Sequence, residues 1–153
     1  MPRSYPLAAF FICALCAGQP AALVHHRAEE IAAKEKELPA KVDAKGLAFA
    51  VLERTPTTVT GLLFRAKTGD AELHEQMADF VLVRSGRATL IVGGELRNPR
   101  KVGEGEFAAP SILSGEKRAL NAGDLVHIPP KVPHHFVVDE GHTFSYILVK
   151  ARE

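Results

Sequence analysis

From residue 46 onward the chain is a series of short apolar runs separated by polar punctuation. The runs are LAFAVLE (residues 47–53), TTVTGLLFRA (57–66), AELHE (71–75), DFVLVRS (79–85), RATLIVG (87–93), KRALN (117–121), DLVHIP (124–129), HHFVVD (134–139) and HTFSYILVK (142–150). They are rich in β-branched and aromatic residues and several alternate apolar with polar, so each predicts a strand with one face turned inward. Between them stand SGR (85–87), VGGE (92–95), NAGD (121–124) and DEGH (139–142), which carry the residues that tight hairpins need. Nine or so such runs without intervening helical periodicity predict antiparallel strands closed into a sandwich or barrel. Residues 95–114 break the rhythm. They are expected to form a long loop at the barrel mouth, or a loop with one strand.

The beginning of the chain is different material. Residues 25–38 (HHRAEEIAAKEKEL) are rich in Ala, Glu and Lys, and Pro39 ends the stretch, so a short surface helix is predicted. Before it, a segment with one Arg and no acid leads into the unbroken apolar run LAAFFICALCA (7–17). That run is shorter than the roughly 20 residues a membrane-spanning helix requires, and it has the form of a signal peptide. The expected organisation is therefore a signal peptide over residues 1–22, a helix and linker over 23–45, and one β domain over 46–153. The mature protein is expected to be secreted or periplasmic, and free of the membrane once processed. The small residues Ala14, Ala17, Gly18, Ala21 and Ala22 offer several cleavage positions. Both cysteines, Cys13 and Cys16, lie in the leader, so its removal leaves neither a disulfide nor a thiolate.

Composition narrows the partners. The chain has 153 residues, with 19 basic and 18 acidic ones, and this balance supplies no field to attract nucleic acid or an anionic membrane. No GxSxG stretch, phosphate-binding loop or dinucleotide fingerprint is present.

The candidate chemistry lies in two places. Strand alternation puts Glu72 and His74 on one face, about 7 Å apart along the backbone, with Leu73 on the other. A turn through Gln76 and Met77 can bring the Asp79 carboxylate back beside His74. Later, His134 and His135 open a strand directly after IPPKVP, whose prolines stiffen the approach, and only one of the two can face inward. Taken singly, each of these residues is compatible with an ordinary surface acid or a hydrogen-bonded histidine, and it is their grouping that suggests a site. His135 is expected to be structural. His127 is expected to be exposed or to support the site from outside.

These two stretches resemble the paired motifs of the cupin superfamily. The first motif of that family runs His, one spacer, His, four spacers, an acid, six spacers and Gly; here Glu72, His74, Asp79 and Gly86 stand at those positions. The second runs Gly, five spacers, Pro, one spacer, Gly, two spacers and His; here Gly123, Pro129, Lys131 and His134 do. Spacing is intact. Glu72 replaces a histidine, Asp79 is one carbon shorter than the usual Glu, Lys131 replaces a glycine, and Val138 holds the place of an Asn that often follows. The resemblance covers residues 46–149. It implies an all-β fold, an antiparallel double-stranded β-helix (cupin jelly-roll barrel) with a short N-terminal helix.

It also implies a divalent transition metal, Fe, Mn, Ni or Zn, held by His74, Asp79, His134 and Glu72. The expected ligand is a small oxygenated organic molecule, and the activity that of a dioxygenase, isomerase or lyase, with Glu72 completing the metal sphere or acting as general base. The alternative is a non-catalytic protein that binds a sugar or carboxylate, its polar groups holding the ligand without metal. Cupin barrels often pair through their sheets, so a homodimer is the expected assembly, with TTVTGLLF and FSYILVK as its edges or faces.

Overall fold

The computed structural model describes residues 23–153; the expected signal peptide lies outside the described residues. A helix α1 (Ala28–Glu37) runs into a 3-10 turn (Leu38–Lys41). Twelve strands follow: β1 (Leu47–Arg54), β2 (Thr58–Arg65), β3 (Ala71–His74), β4 (Met77–Val92), β5 (Glu95–Arg97), β6 (Arg100–Gly103), β7 (Glu106–Ala109), β8 (Ser111–Leu113), β9 (Glu116–Asn121), β10 (Leu125–Ile128), β11 (His134–Val137) and β12 (Phe144–Arg152). Ten of them form one curled antiparallel sheet in the order β1-β2-β12-β4-β11-β3-β7-β6, with β9 and β10 also on β4, while β5 and β8 make a separate ribbon.

Strand β4 joins the two halves of the barrel. Its first half pairs with β12 and β10, and its second half with β9 and β11. The sequence suggested two strands here with a turn at SGR. Instead the strand continues through Ser85 and Gly86, and the register against β12 slips by one residue between Ser145 and Tyr146. Such a bulge bends a strand without ending it. Gly86 takes φ +72°, and a Cβ there would collide with the carbonyl oxygen of Thr143, just before β12, so the bend needs glycine on both counts.

Residues 95–114 also differ from expectation. They form four short strands, with Asn98 and Gly105 supplying the positive φ angles of the intervening turns. Nor are TTVTGLLF and FSYILVK edges. They lie in β2 and β12, and each is paired on both sides.

The apolar core of the barrel is made of Val81, Val83, Leu90, Phe136, Phe144 and Tyr146, all nearly inaccessible. The three aromatic rings pack tilted, with centroids 4.9–5.7 Å apart. A second cluster, Leu38, Ala48 and Leu62, lies at the helical end. There Ser145 Oγ donates to Glu35 Oε1 at 2.5 Å, Ser85 Oγ lies 2.8 Å from Ser145 Oγ, and Arg84 reaches Glu35 Oε2 at 3.3 Å. These bonds fasten α1 to the barrel at the bulge. His135 is buried, its Nε2 2.9 Å from Gly69 O, and His127 is exposed and stacked on Phe80 at 4.3 Å.

Candidate metal centre

Five strands direct six polar side chains to the same point. Strand β3 supplies Glu72 and His74; the antiparallel register sets His134 of β11 opposite Glu72, and Glu106 of β7 opposite His74. Asp79 is the third residue of β4, and Lys150 of β12 lies opposite it. Alternation along each strand turns these residues to one side of the sheet.

The ligand atoms of Glu72, His74 and His134 all lie within 4.8 Å of one another. Glu72 Oε2 is 3.8 Å from each histidine Nε2, and Asp79 Oδ2 is 3.5 Å from each. His74, Asp79 and His134 are buried, whereas the Glu72 side chain is 37% exposed and marks the opening to solvent.

The outward nitrogen of each imidazole is tied down. His74 Nδ1 bonds the Glu106 carboxylate, and His134 Nδ1 lies 3.1 Å from the Val132 carbonyl oxygen. Both partners are acceptors, so each Nδ1 is the protonated atom and each Nε2 presents its lone pair to the centre. His134 Nε2 is fully buried with no hydrogen-bond partner, as is Asp79 Oδ1. Buried polar atoms without partners are costly, and an acceptor pair of this kind calls for a cation. Two imidazole nitrogens and two carboxylates suit a divalent transition metal, and the carboxylate behind His74 is the support that ligating histidines commonly have. The residues present therefore fit such an ion.

Charge in the centre is not simple. Burial alone would raise the Asp79 pKa, but the His134 and His74 rings beside it and the charge of Lys150 outweigh it and hold the carboxyl far below its usual range. Burial works against a charged His74, yet the neighbouring Asp79 and Glu106 carboxylates leave its pKa above the ordinary imidazole value. Lys150 Nζ sits 2.7 Å from His74 Nε2 and 3.4 Å from Asp79 Oδ1, taking up the same lone pair that a metal would use.

The sequence reading picked out Glu72, His74, Asp79 and His134, and the fold brings all four together. It did not find Lys150 or Glu106. Lys150 follows Phe144, Tyr146 and Leu148 on alternate positions, and a charge on an otherwise inward apolar face was a usable signal. Glu106 had none, because its segment had no readable period.

No family model matches the chain, and neither does any curated protein. Solved structures do resemble it. A nucleoside dehydratase from Streptomyces, described as a β-barrel, superposes with a TM-score of 0.52 at 13% identity over 72% of this chain and 73% of that one. A putative mannose-6-phosphate isomerase from Ralstonia eutropha JMP134 gives 0.52 at 16% identity over 73% and 90%. The iron(II) form of HppE gives 0.51 at 16% identity over 68% of this chain and 49% of that one, about half its length. At these identities the likeness speaks for architecture alone. The chain is an all-β protein with the double-stranded β-helix barrel of the cupin fold.

Proposed function

We propose that this chain is an exported metal-dependent cupin-fold protein that takes a small oxygenated organic molecule into its barrel. Its metal would be held by His74, His134, Asp79 and Glu72, with Fe, Mn, Ni and Zn all compatible with that donor set. The observation that carries the reading is the pair of Nε2 lone pairs, that of His134 without any partner, facing two carboxylates, one of them buried. A divalent ion there would act as a Lewis acid on a bound oxygen.

The chain's own residues supply the rest. Glu106 and the Val132 carbonyl orient the imidazoles. Glu72, at the opening, completes the sphere or takes a proton from the bound molecule, and the apolar interior excludes bulk water. Proteins of this fold include a nucleoside dehydratase, a protein described as a putative isomerase and one that holds iron(II), which supports the reaction classes expected here: dioxygenase, isomerase or lyase. Export rests on the leader sequence, and the homodimer on the cupin resemblance.

Elemental mass spectrometry of the untagged, processed protein is the test. The expected result is near-stoichiometric transition metal, lost in a His74→Ala, His134→Ala double variant. One observation favours a second reading, a metal-free capture pocket: the Lys150 ammonium lies where a cation is called for. Absence of metal from both proteins would select it.

A further inference from the structure

Arg65, near the end of β2, is 5% exposed and lies inside the barrel. Its Nε donates to the Tyr146 hydroxyl at 3.1 Å, and its Cζ lies 5.8 Å from the centre of the Phe136 ring. Its two terminal nitrogens make no hydrogen bond among the described residues, and no carboxylate there comes within ion-pairing reach. Asp70, the acid of the adjoining loop, is engaged by Arg100 at 2.5 Å and by Lys45 at 3.6 Å. A guanidinium cannot discard its proton to escape burial; Glu72 and Asp70 act on this one only from beyond ion-pairing reach, which leaves its terminal nitrogens without a direct partner.

The surroundings hold this cation in place. Gly69 passes so close that a Cβ on it would overlap Arg65 Nη1. That loop is fixed by His135 Nε2 on Gly69 O at 2.9 Å, and by Thr68 Oγ1, which accepts from Val138 N at 2.9 Å and donates to Val138 O at 3.1 Å. Phe136 connects the cation to the metal centre: its ring lies 6.1 Å from that of His134 and 5.8 Å from Arg65 Cζ. The cation and the metal centre thus flank one aromatic ring.

We propose that Arg65 is the anchor for a carboxylate, and that the ligand class of this barrel is a small monoanionic organic acid with an oxygen donor for the metal at its other end. This deepens the proposed function and rests on it. With Nε committed to Tyr146, the guanidinium offers its Nη1 and Nη2 edge, two parallel donors that match the two oxygens of a carboxylate. Charge balance gives the valence. Arg65 and Lys150 face Glu72, Asp79 and Glu106, one negative charge in excess; a divalent ion reverses that excess, and one carboxylate cancels it.

The experiment is calorimetric titration of the metal-loaded protein with glycolate, lactate and gamma-hydroxybutyrate, beside their primary amides as neutral isosteres and inorganic phosphate as a dianion. At least one acid should bind about 100-fold or more tightly than its amide and more tightly than phosphate. Arg65→Met should bring that acid to the level of its amide with metal content unchanged, and Gly69→Ala should weaken it by displacing the guanidinium.

Equal binding of acid and amide, stronger binding of phosphate, no acid bound, or undiminished binding in Arg65→Met would each overturn the proposal. Should Arg65→Met not fold, the acid and amide comparison on the wild type and the Gly69→Ala variant decide. Metal bound without preference for acids defeats this inference alone. Acids bound through Arg65 by a protein that takes up no metal defeat the metal reading and leave the anion site standing.

Discussion

Tyr146 is wholly enclosed, its hydroxyl accepting from Arg65, and burial pushes its pKa up to about 12. The unfolded chain releases this proton near pH 10, so the stability it contributes is complete below that pH and is lost as pH rises toward the folded value, about 2–3 kcal/mol in all. The chain has two tyrosines and no tryptophan, and the other, Tyr5, lies in the expected leader. Phenolate absorbance of the processed protein should therefore stay silent through pH 10–11. Urea unfolding of Tyr146→Phe should lack the wild type's loss of stability over that range. Lys150 carries a second prediction. Its ammonium competes for the His74 lone pair, so Lys150→Met should tighten metal binding by about 10-fold or more in competition with a chromophoric chelator. At this scale the sequence was legible where chemistry followed strand alternation, as for Glu72, His74, Asp79 and His134. It was not legible where a role depends on a partner distant in sequence, as with Glu106 on His74 or Arg65 on Tyr146. Lys131 shows the reverse case: it stands where the cupin pattern has glycine, and its φ of +65° lies in the left-handed region that favours glycine.

Elements were harder to delimit than residues. DFVLVRS and RATLIVG were read as two strands because Ser-Gly-Arg resembles a turn, and Gly86 does adopt a turn-like φ. Whether such a glycine reverses a chain or bends it depends on what lies alongside, and here Thr143 and Phe144 keep β4 paired through the bend. Gly86→Ala should accordingly cost about 3–4 kcal/mol in urea unfolding, combining backbone strain with the collision at Thr143. Gly123→Ala makes the control. Its φ is +94° but a Cβ there meets nothing within 4 Å, so only the strain, about 1–2 kcal/mol, should appear. Residues 95–114 escaped prediction for a related reason: strands of three or four residues are too short to show a period.

For the whole molecule, the all-β character and the inward polar cluster were both readable, because a barrel enforces one alternation on every strand that closes it. A ligand that binds only the folded barrel must stabilise all of it. Metal at about 100 times its dissociation constant should add ~2.7 kcal/mol, a rise of about 10 °C in melting temperature by calorimetry, reversed by a chelator and absent in the His74→Ala, His134→Ala variant. The position of β12 has a consequence for how the fold assembles. It lies between β2 and β4, and it also carries Ser145, to which α1 is fastened. Without it β2 and β4 share no partner and the helix loses its anchor at Ser145, so β1 and β2 join the rest of the sheet only once this strand is in place.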